Sequence, residues 1–524
     1  MKPRVHWGVL KLLGFVGLLG TALQAQPAAP ADPRLQLPGA ALAAVDETGP
    51  LDLSVEAAVL SALSYNRALL VEQFAPPIAG TFAALERAAF DPVLFAEYNF
   101  AESEARQLST AVGVDFQVRS DQRDVAVGVR QQISTGTEVE LAASQQRSDS
   151  DRTPEQSQVR LGLSVTQALL QGASRRANLV SLRQAELDVD ISHYQLRGFV
   201  AQLVADVEHS YWNYVLARRQ LDIFLSSLEI ADRQLAETRQ RIAVGALPET
   251  EQLAVEAEAA ARRQELIDAR ATLARERVRL LRLINMDAHG GRSREILPIV
   301  GPLDALVPLE PVEAHIELAR RLRAEINEAR LRWRRGDLDV IRTRNGLLPV
   351  LDFFIVLGKS GFASSFSDAA DDLDGDSFDL QAGLRFEYPF GNRGPEASHR
   401  GAVLAREQVA AGLENLAELM AVEVHEAYVE VQRAGAQIGA SRATLRLRES
   451  VLAGEQAKLA AGRATGLDVA RAQRDLLEAQ IANAQARIAY RQALIELYRL
   501  DGSLLQRRAI GAPGAEPVVL SLAD

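Results

Sequence analysis

The chain has 524 residues, 48% of them hydrophobic, and carries 58 Lys and Arg against 69 Asp and Glu for a net charge of −11. That balance argues against nucleic acid as a partner, because nucleic-acid binding calls for a basic footprint. Cysteine is absent, which excludes disulfides, thiolate metal sites and a lipid-modified cysteine.

Residues 1–25 read as a secretory signal. Lys2, Arg4 and Lys11 precede the apolar run "LLGFVGLLGTAL", and small residues near the cut make Ala22 or Ala25 the last residue removed. A membrane-anchoring helix needs about twenty apolar residues and fits less well. Residues 26–50 form a Pro- and Ala-rich leader, and 51–90 supply a first helical segment.

Strand patterns fill 91–168 and return at 347–390. Val125, Val127 and Val129 alternate with polar or small residues, as do Val159, Leu161, Leu163 and Val165. In the second cluster Phe378, Leu380, Leu384, Phe386 and Tyr388 share one face, with Asp379, Gln381, Arg385 and Glu387 on the other. Period-two alternation gives one apolar and one polar face, suited to a soluble sandwich or to a membrane barrel. The first cluster divides into 93–103, 124–131, 137–146 and 157–168, with "STGT" (Ser134 to Thr137) as a tight turn. With two strands in the second cluster, six strands per chain are expected. The alternative keeps four strands per chain and folds 124–146 over the sheet as an extra hairpin.

Helical tracts separate the strand clusters. Residues 169–285 read as a long hairpin whose tip, near 245, is "AVGALPETEQL"; 391–501 read as a second, whose tip near 462 is "AAGRATGLDVA". About 72 residues, 173–244, would make a helix roughly 108 Å long, too long for a globular core and suited to a coiled coil. Leu221, Leu228, Leu235 and Ile242 recur at sevens, and so do Ile438, Leu445, Leu452 and Leu459. Gly462 lies 217 residues after Gly245, and the same shift carries Tyr211 onto Tyr428 and Glu251 onto Asp468. A shift of 257 carries Val55-Glu56-Ala57 onto Val312-Glu313-Ala314. The chain thus reads as a duplication: helix, strands, long helix, turn, returning helix. Residues 312–346 are the first helix of the second repeat, 286–311 an equatorial linker, and 502–524 a C-terminal tail. By length, the returning helix (249–285) and the next (313–345) would stack end to end beside the long one.

The duplication, "LSVTQALLQG" and "FEYPFGNRG" running into the long helices, and the two tips together resemble the TolC-like outer-membrane efflux family over essentially the whole mature chain. The resemblance implies an α+β membrane protein, in which three chains close an outer-membrane β-barrel continuous with a periplasmic α-helical barrel. It implies an exit duct in efflux or type I secretion, located in the outer membrane of a Gram-negative-type bacterium. Its partners would be outer-membrane lipid, a periplasmic adaptor and an inner-membrane pump. Gly245, Ala246, Leu247, Pro248, Gly462, Arg463 and Thr465 would then lie at the docking tips, the glycines ending one helix and Pro248 or Thr465 opening the next. Asp468 and Glu251 match acids that line the family's tip constriction, while Arg471 stands where the family often has an acid. Read without the resemblance, both acids are helix N-terminal residues favoured by the helix dipole, and Thr465 with Asp468 has capping-box spacing.

Enzymatic motifs fail. "LGKSGF" has Phe353 where a P-loop needs its first Gly, and Val429 replaces the second His of a zinc site after His425-Glu426. "AADDLDGDSFDLQ" has Ala370 and Gln381 at the terminal positions of a calcium loop. No catalytic, metal or cofactor site can be placed, and the chain does not read as an enzyme. A soluble periplasmic coiled-coil scaffold with small β domains is the alternative to the channel.

Overall fold

The computed structural model describes residues 50–108, 115–151, 153–245, 247–285, 295–301 and 306–519. The expected signal, nearly all of the leader, much of the linker and Ala246 lie outside these residues. The chain divides into two compact units. Among described residues, a sheet unit holds 78–189 and 332–410, and a helical unit holds 50–77, 190–331 and 411–519.

The elements run in this order: β1 (Leu51–Leu53), α1 (Val55–Tyr65), α2 (Arg67–Glu72), α3 (Ala75–Ala88), β2 (Val93–Leu108), β3 (Asp115–Ile133), β4 (Thr137–Ser150) and β5 (Thr153–Ala168). Next come α4 (Arg175–Asn178), the 64-residue α5 (Val180–Ala243), α6 (Thr250–Ile284), β6 (Ile296–Pro298), α7 (Val312–Leu322) and α8 (Ala324–Asn345). The chain closes with β7 (Val350–Ala363), α9 (Phe366–Asp371), β8 (Phe378–Glu387), the 68-residue α10 (Arg393–Ala460), α11 (Gly466–Leu500) and α12 (Leu504–Arg507).

In the sheet unit, six strands form one antiparallel sheet in the order β2-β3-β4-β5-β7-β8. The expected six strands are therefore present, and residues 124–146 belong to the ladder rather than to a hairpin lying over it. Gly136, at φ +79°, makes the β3–β4 turn. Asn178 Nδ2, at the start of the helices, donates to the Ser134 carbonyl at 3.0 Å. Gly172 N donates to Asn345 Oδ1 at 3.0 Å, and Asn392 Nδ2 to the Leu347 carbonyl at 3.2 Å. So one end of the sheet carries that turn and the junctions with α3, α4, α8 and α10, while α9 stands at the other end, between β7 and β8.

In the helical unit, β1 and β6 pair in parallel over three residues, Leu51 with Ile296 to Leu53 with Pro298. Two fully buried tyrosines of α5 hold this small sheet. Tyr211 Oη donates toward the Leu53 and Ile299 carbonyls (3.2 and 2.9 Å), and Tyr214 Oη to that of Ile296 (2.7 Å). Burial pushes the Tyr211 phenol up to about 12, so it stays a donor at any physiological pH. Around them pack Leu280, Ile284, Ile326, Met420, Leu497 and Leu504. The C-terminal segment is tied down by charge: the Arg508 guanidinium donates to both oxygens of buried Glu208, at 2.6 and 2.7 Å.

Two expectations are corrected. Residues 51–90 and 312–346 are not single helices. Asn66 and Arg323 adopt extended backbone, ψ 121° and 132°, and break each segment. Nor does the returning helix stack on the helix that follows it in sequence. Asn66 Nδ2 donates to the Leu283 carbonyl (2.9 Å) and Asn285 Nδ2 to that of Tyr65 (2.7 Å), so α6 meets the start of α2 end to end. Gly502, at the end of α11, lies against Leu322 and Arg323, at the start of α8. The cause is the β1–β6 pairing. It brings the chain after α6 back beside the start of the first repeat, where the carbonyls ending α6 find the Asn66 amide.

Asn66 serves both helices, since its Oδ1 also accepts from Leu69 N at 3.0 Å as the N-cap of α2. Asn66→Ala should therefore lower stability by about 1 kcal/mol or somewhat more, the usual cost of a lost cap. Chemical denaturation of the purified protein checks this; an unchanged midpoint would mean that the amide does not hold the stack.

Candidate functional site

Two features of the molecule bear on function: the helical tips, in the helical unit, and the faces of the sheet, in the sheet unit. At the first tip α5 ends in Gly245, φ +74°, and at the second α10 ends in Gly462, φ +70°. This left-handed conformation is nearly free for glycine and closes a helix. A Cβ at either position would meet nothing within 4 Å, so the turns stand in open space. Gly245, Pro248, Gly462, Arg463 and Thr465 are exposed and Leu247 is half-buried; Ala246 is outside the described residues.

The two tips differ in how the next helix begins. Thr465 caps α11 with a reciprocal box. Its Oγ1 accepts from Asp468 N at 3.2 Å, while Asp468 Oδ2 accepts from Thr465 N at 3.0 Å and from the Thr465 hydroxyl at 2.7 Å. These bonds, the backbone one foremost, hold the Asp468 carboxyl below its ordinary range, with a smaller contribution from Arg471. Arg471 is exposed and forms no ion pair with Asp468 among the described residues. At the first tip Pro248 precedes the helix, and the N-cap, Glu249, makes no side-chain cap. Glu251 sits in the first turn of α6, and its Oε2 would lie 3.2 Å from a Cβ on Gly466, the first residue of α11. Glu251 thus stands beside two helix N-termini, where a negative charge is favoured. The sequence placed Glu251 and Asp468 on separate tips; the fold brings the tips together through α6 and α11. No local pattern signalled that approach.

Ion pairs lace the helices behind the tips. Arg239 bonds Glu256 (2.6 Å), Arg263 bonds Asp232 (2.7 Å) and Arg448 bonds Asp475 (2.7 Å). A small apolar core of Ala231, Leu235, Val255 and Ala259 lies between α5 and α6. Of the heptad positions, Leu235 and Ile438 are buried, and Leu221, Leu228, Ile242, Leu445, Leu452 and Leu459 are half-buried.

The sheet sorts its side chains with little mixing. Because directly paired residues in a ladder share a face, register identifies the faces. Leu94, Val129, Leu141, Leu163, Leu357 and Leu380 form one unbroken row across all six strands. Leu94 is 61% and Leu380 63% exposed, although nothing in water rewards this. The flanking rows add Val125, Val127, Val139, Leu161, Val165 and Ile355. On β3 the face from Val125 to Ile133, apolar but for Gln131, covers about 27 Å of strand, or roughly 20 Å of height at a barrel-like tilt, close to a lipid-facing band. The opposite face carries Asp124, Arg130, Glu140, Arg160, Gln158, Gln381 and Asp379, with Arg160 Nη2 bonded to Asp379 Oδ2 at 2.6 Å. Exposed Tyr98 and Phe100 lie mid-way along β2, at the outer margin of the apolar rows, and exposed Tyr388 and Phe390 follow the end of β8; both pairs suit interfacial aromatics. A face this apolar and this exposed is made for hydrocarbon.

The capping box makes a sign-specific prediction. A carboxyl whose folded pKa is depressed stabilises the fold above its unfolded pKa and loses that contribution as pH falls through the folded value. Amide protection in the first turn of α11 should therefore be flat near neutral pH and decline in acid, below the usual carboxylate range. Asp468→Asn should remove that decline; the same acid decline in the variant would take Asp468 out of the cap.

The protein-family comparison matches the outer membrane efflux protein model over residues 132–286 and 315–503. Its first stretch opens at the end of β3, so β2 lies outside it. No curated protein matches. Among solved structures, the chain is similar to CusC (TM-score 0.65, 19% identity, covering 91% of this chain and 97% of that one). It is similar also to the outer-membrane channel OprN (0.64, 19%, 86% and 90%). A third is the CmeC outer membrane channel of Campylobacter jejuni (0.63, 13%, 86% and 86%). These likenesses share the fold: long helices joined to a β domain. With more than half of its length matched by the family model, the chain belongs to the outer membrane efflux protein family and is an outer-membrane protein that extends into the periplasm.

Proposed function

We propose that this efflux channel is a passive exit duct that works with an inner-membrane pump and a periplasmic adaptor, in tripartite efflux or type I secretion. The observation that carries the reading is the exposed apolar row from Leu94 to Leu380 with a polar face behind it. A soluble scaffold with small β domains has no use for such a row, and the runner-up loses on that ground.

Three copies would supply eighteen strands to one barrel, with the polar face lining its lumen. The half-buried heptad positions support a helical barrel, since a lone hairpin leaves them partly bare and neighbouring helices would cover them. Positive φ at Asn285 and Gly502, 217 residues apart like Gly245 and Gly462, supports descent from two repeats. The tips, Gly245 to Pro248 and Gly462 to Thr465, are the proposed docking and closure surface for the adaptor. Glu251, Asp468 and Arg471 are the proposed lining of the constriction. Asp468 also has a structural role in its capping box, and Glu251 one at a helix N-terminus.

Orientation follows from the β3–β4 turn, which lies with the helix junctions and so on the periplasmic rim. In this cysteine-free chain, Asp151→Cys should react with a membrane-impermeant maleimide added to intact cells, and Thr135→Cys should not. Reversed labelling would invert the sheet and end the proposal. At the tips, Gly245→Pro and Gly462→Pro should abolish export while leaving membrane insertion intact, because proline cannot adopt positive φ. Export at the wild-type rate in both variants would remove the tips from the mechanism.

A further inference from the structure

Beyond the apolar band, away from the helix junctions, the sheet carries an arrangement that transport does not use. Arg123 on β3 and Arg147 on β4 are direct cross-strand partners on the apolar face. Both are exposed. Each is the first charged residue that its strand presents on this face past the hydrophobic run. Like charges directly opposite in a ladder repel and destabilise the pairing. Glu155 meets one of them, Arg147, at 2.5 Å. Arg123 has no ion pair among the described residues; its guanidinium lies over the Phe100 ring, 5.7 Å from the centroid. Phe100 is 52% and neighbouring Tyr98 65% exposed on the same face, which sets the arginine pair at the depth of an interfacial aromatic belt.

We propose that Arg123 and Arg147 bind the anionic phosphate headgroup of an outer-leaflet lipid. The guanidinium fork matches phosphate oxygens in pairs, and with Glu155 already on Arg147 the cluster keeps one net positive charge for a phosphate to neutralise. The acyl chains would then run down the Val125–Val129 and Val139–Leu141 surface below. The next row outward sets Glu102, Asp121 and Asp149 directly side by side, with Glu102 bonded to Arg119 of the row beyond, so carboxylates lie between the arginine pair and the strand ends. On the outer ends of β5 and β7 the chain covers the face itself, since α9 packs over Gly361; β3 and β4 are left open to lipid. The site rests on the outer-membrane reading of the sheet, and that reading fails separately, if wild-type protein is missing from outer-membrane fractions.

The test uses full-length protein purified from outer membranes in mild detergent, as wild type, as R123Q/R147Q and as R123K/R147K. Binding of phosphatidic acid and of phosphatidylcholine is followed by native mass spectrometry. Wild type should prefer phosphatidic acid by about tenfold or more, the Gln variant should show no preference, and the Lys variant should keep part of it, holding charge without the fork. Both positions are exposed, and heat-modifiable migration verifies that the variants fold. An equal preference in wild type and the Gln variant would overturn the assignment. So would full displacement of phosphatidic acid by millimolar inorganic phosphate, which would make this a free-anion site.

Discussion

A backbone N–H or C=O left bare in hydrocarbon costs several kcal/mol, and the sheet of this protein ends in two strands, β2 and β8, whose outer edges have no partner among the described residues. Each edge runs for ten residues or more. The apolar row from Leu94 to Leu380 requires lipid, and lipid forbids the edges. Closure onto other copies of the same sheet, as proposed, would reconcile the two demands. Six strands per chain also keep an even count, so the chain enters and leaves the sheet on the side where Asn178 holds the Ser134 turn. In the proposed barrel the added strands would give a wider ring without inverting the helices.

The helical unit answers a different constraint. Long helices leave unpaired carbonyls and amides at every end, and each break must be filled. Asn66 and Asn285 fill the break between α6 and α2 by exchanging amide bonds. Tyr211 and Tyr214 carry phenols into the core to satisfy a three-residue parallel sheet that is too short to hold itself. These polar ties fix which helix continues which. The tips need no such support, because glycine in open solvent ends a helix cheaply and a capping box starts the next.

Much of this was legible from residues alone. Alternation at Val125–Val129 and Val159–Val165 marked strands, though four per chain stayed open beside six, and Gly245 and Gly462 marked the turns. Three things were not. The outer parts of β2 and β3 are polar on both faces, as Glu102 to Arg106 and Arg119 to Asp124 show, so alternation fades while the ladder continues to Leu108 and Asp115. The breaks at Asn66 and Arg323 sit inside strongly helical sequence and depend on where the next helix packs. The stacking of α6 on α2 depends on β1 and β6, three residues each, below the length at which periodicity carries a signal. Among the candidate site residues, the Thr465–Asp468 box was readable at its spacing. The approach of Glu251 to Gly466 joins residues far apart in sequence, and no local pattern announces it.

The central claim is that the edges of β2 and β8 pair between three copies. Because the chain has no cysteine, introduced pairs report this without background. Glu97→Cys on β2, combined in turn with Asp379→Cys, Gln381→Cys and Arg385→Cys, which lie on the same polar face of β8, should yield covalent dimers and trimers on oxidation in intact outer membranes. At least one pair should end the ladder at three chains, and each single variant should remain monomeric on a denaturing gel. Monomer alone from every pair scanned along the two strands, with the protein folded and in the outer membrane, would contradict the account.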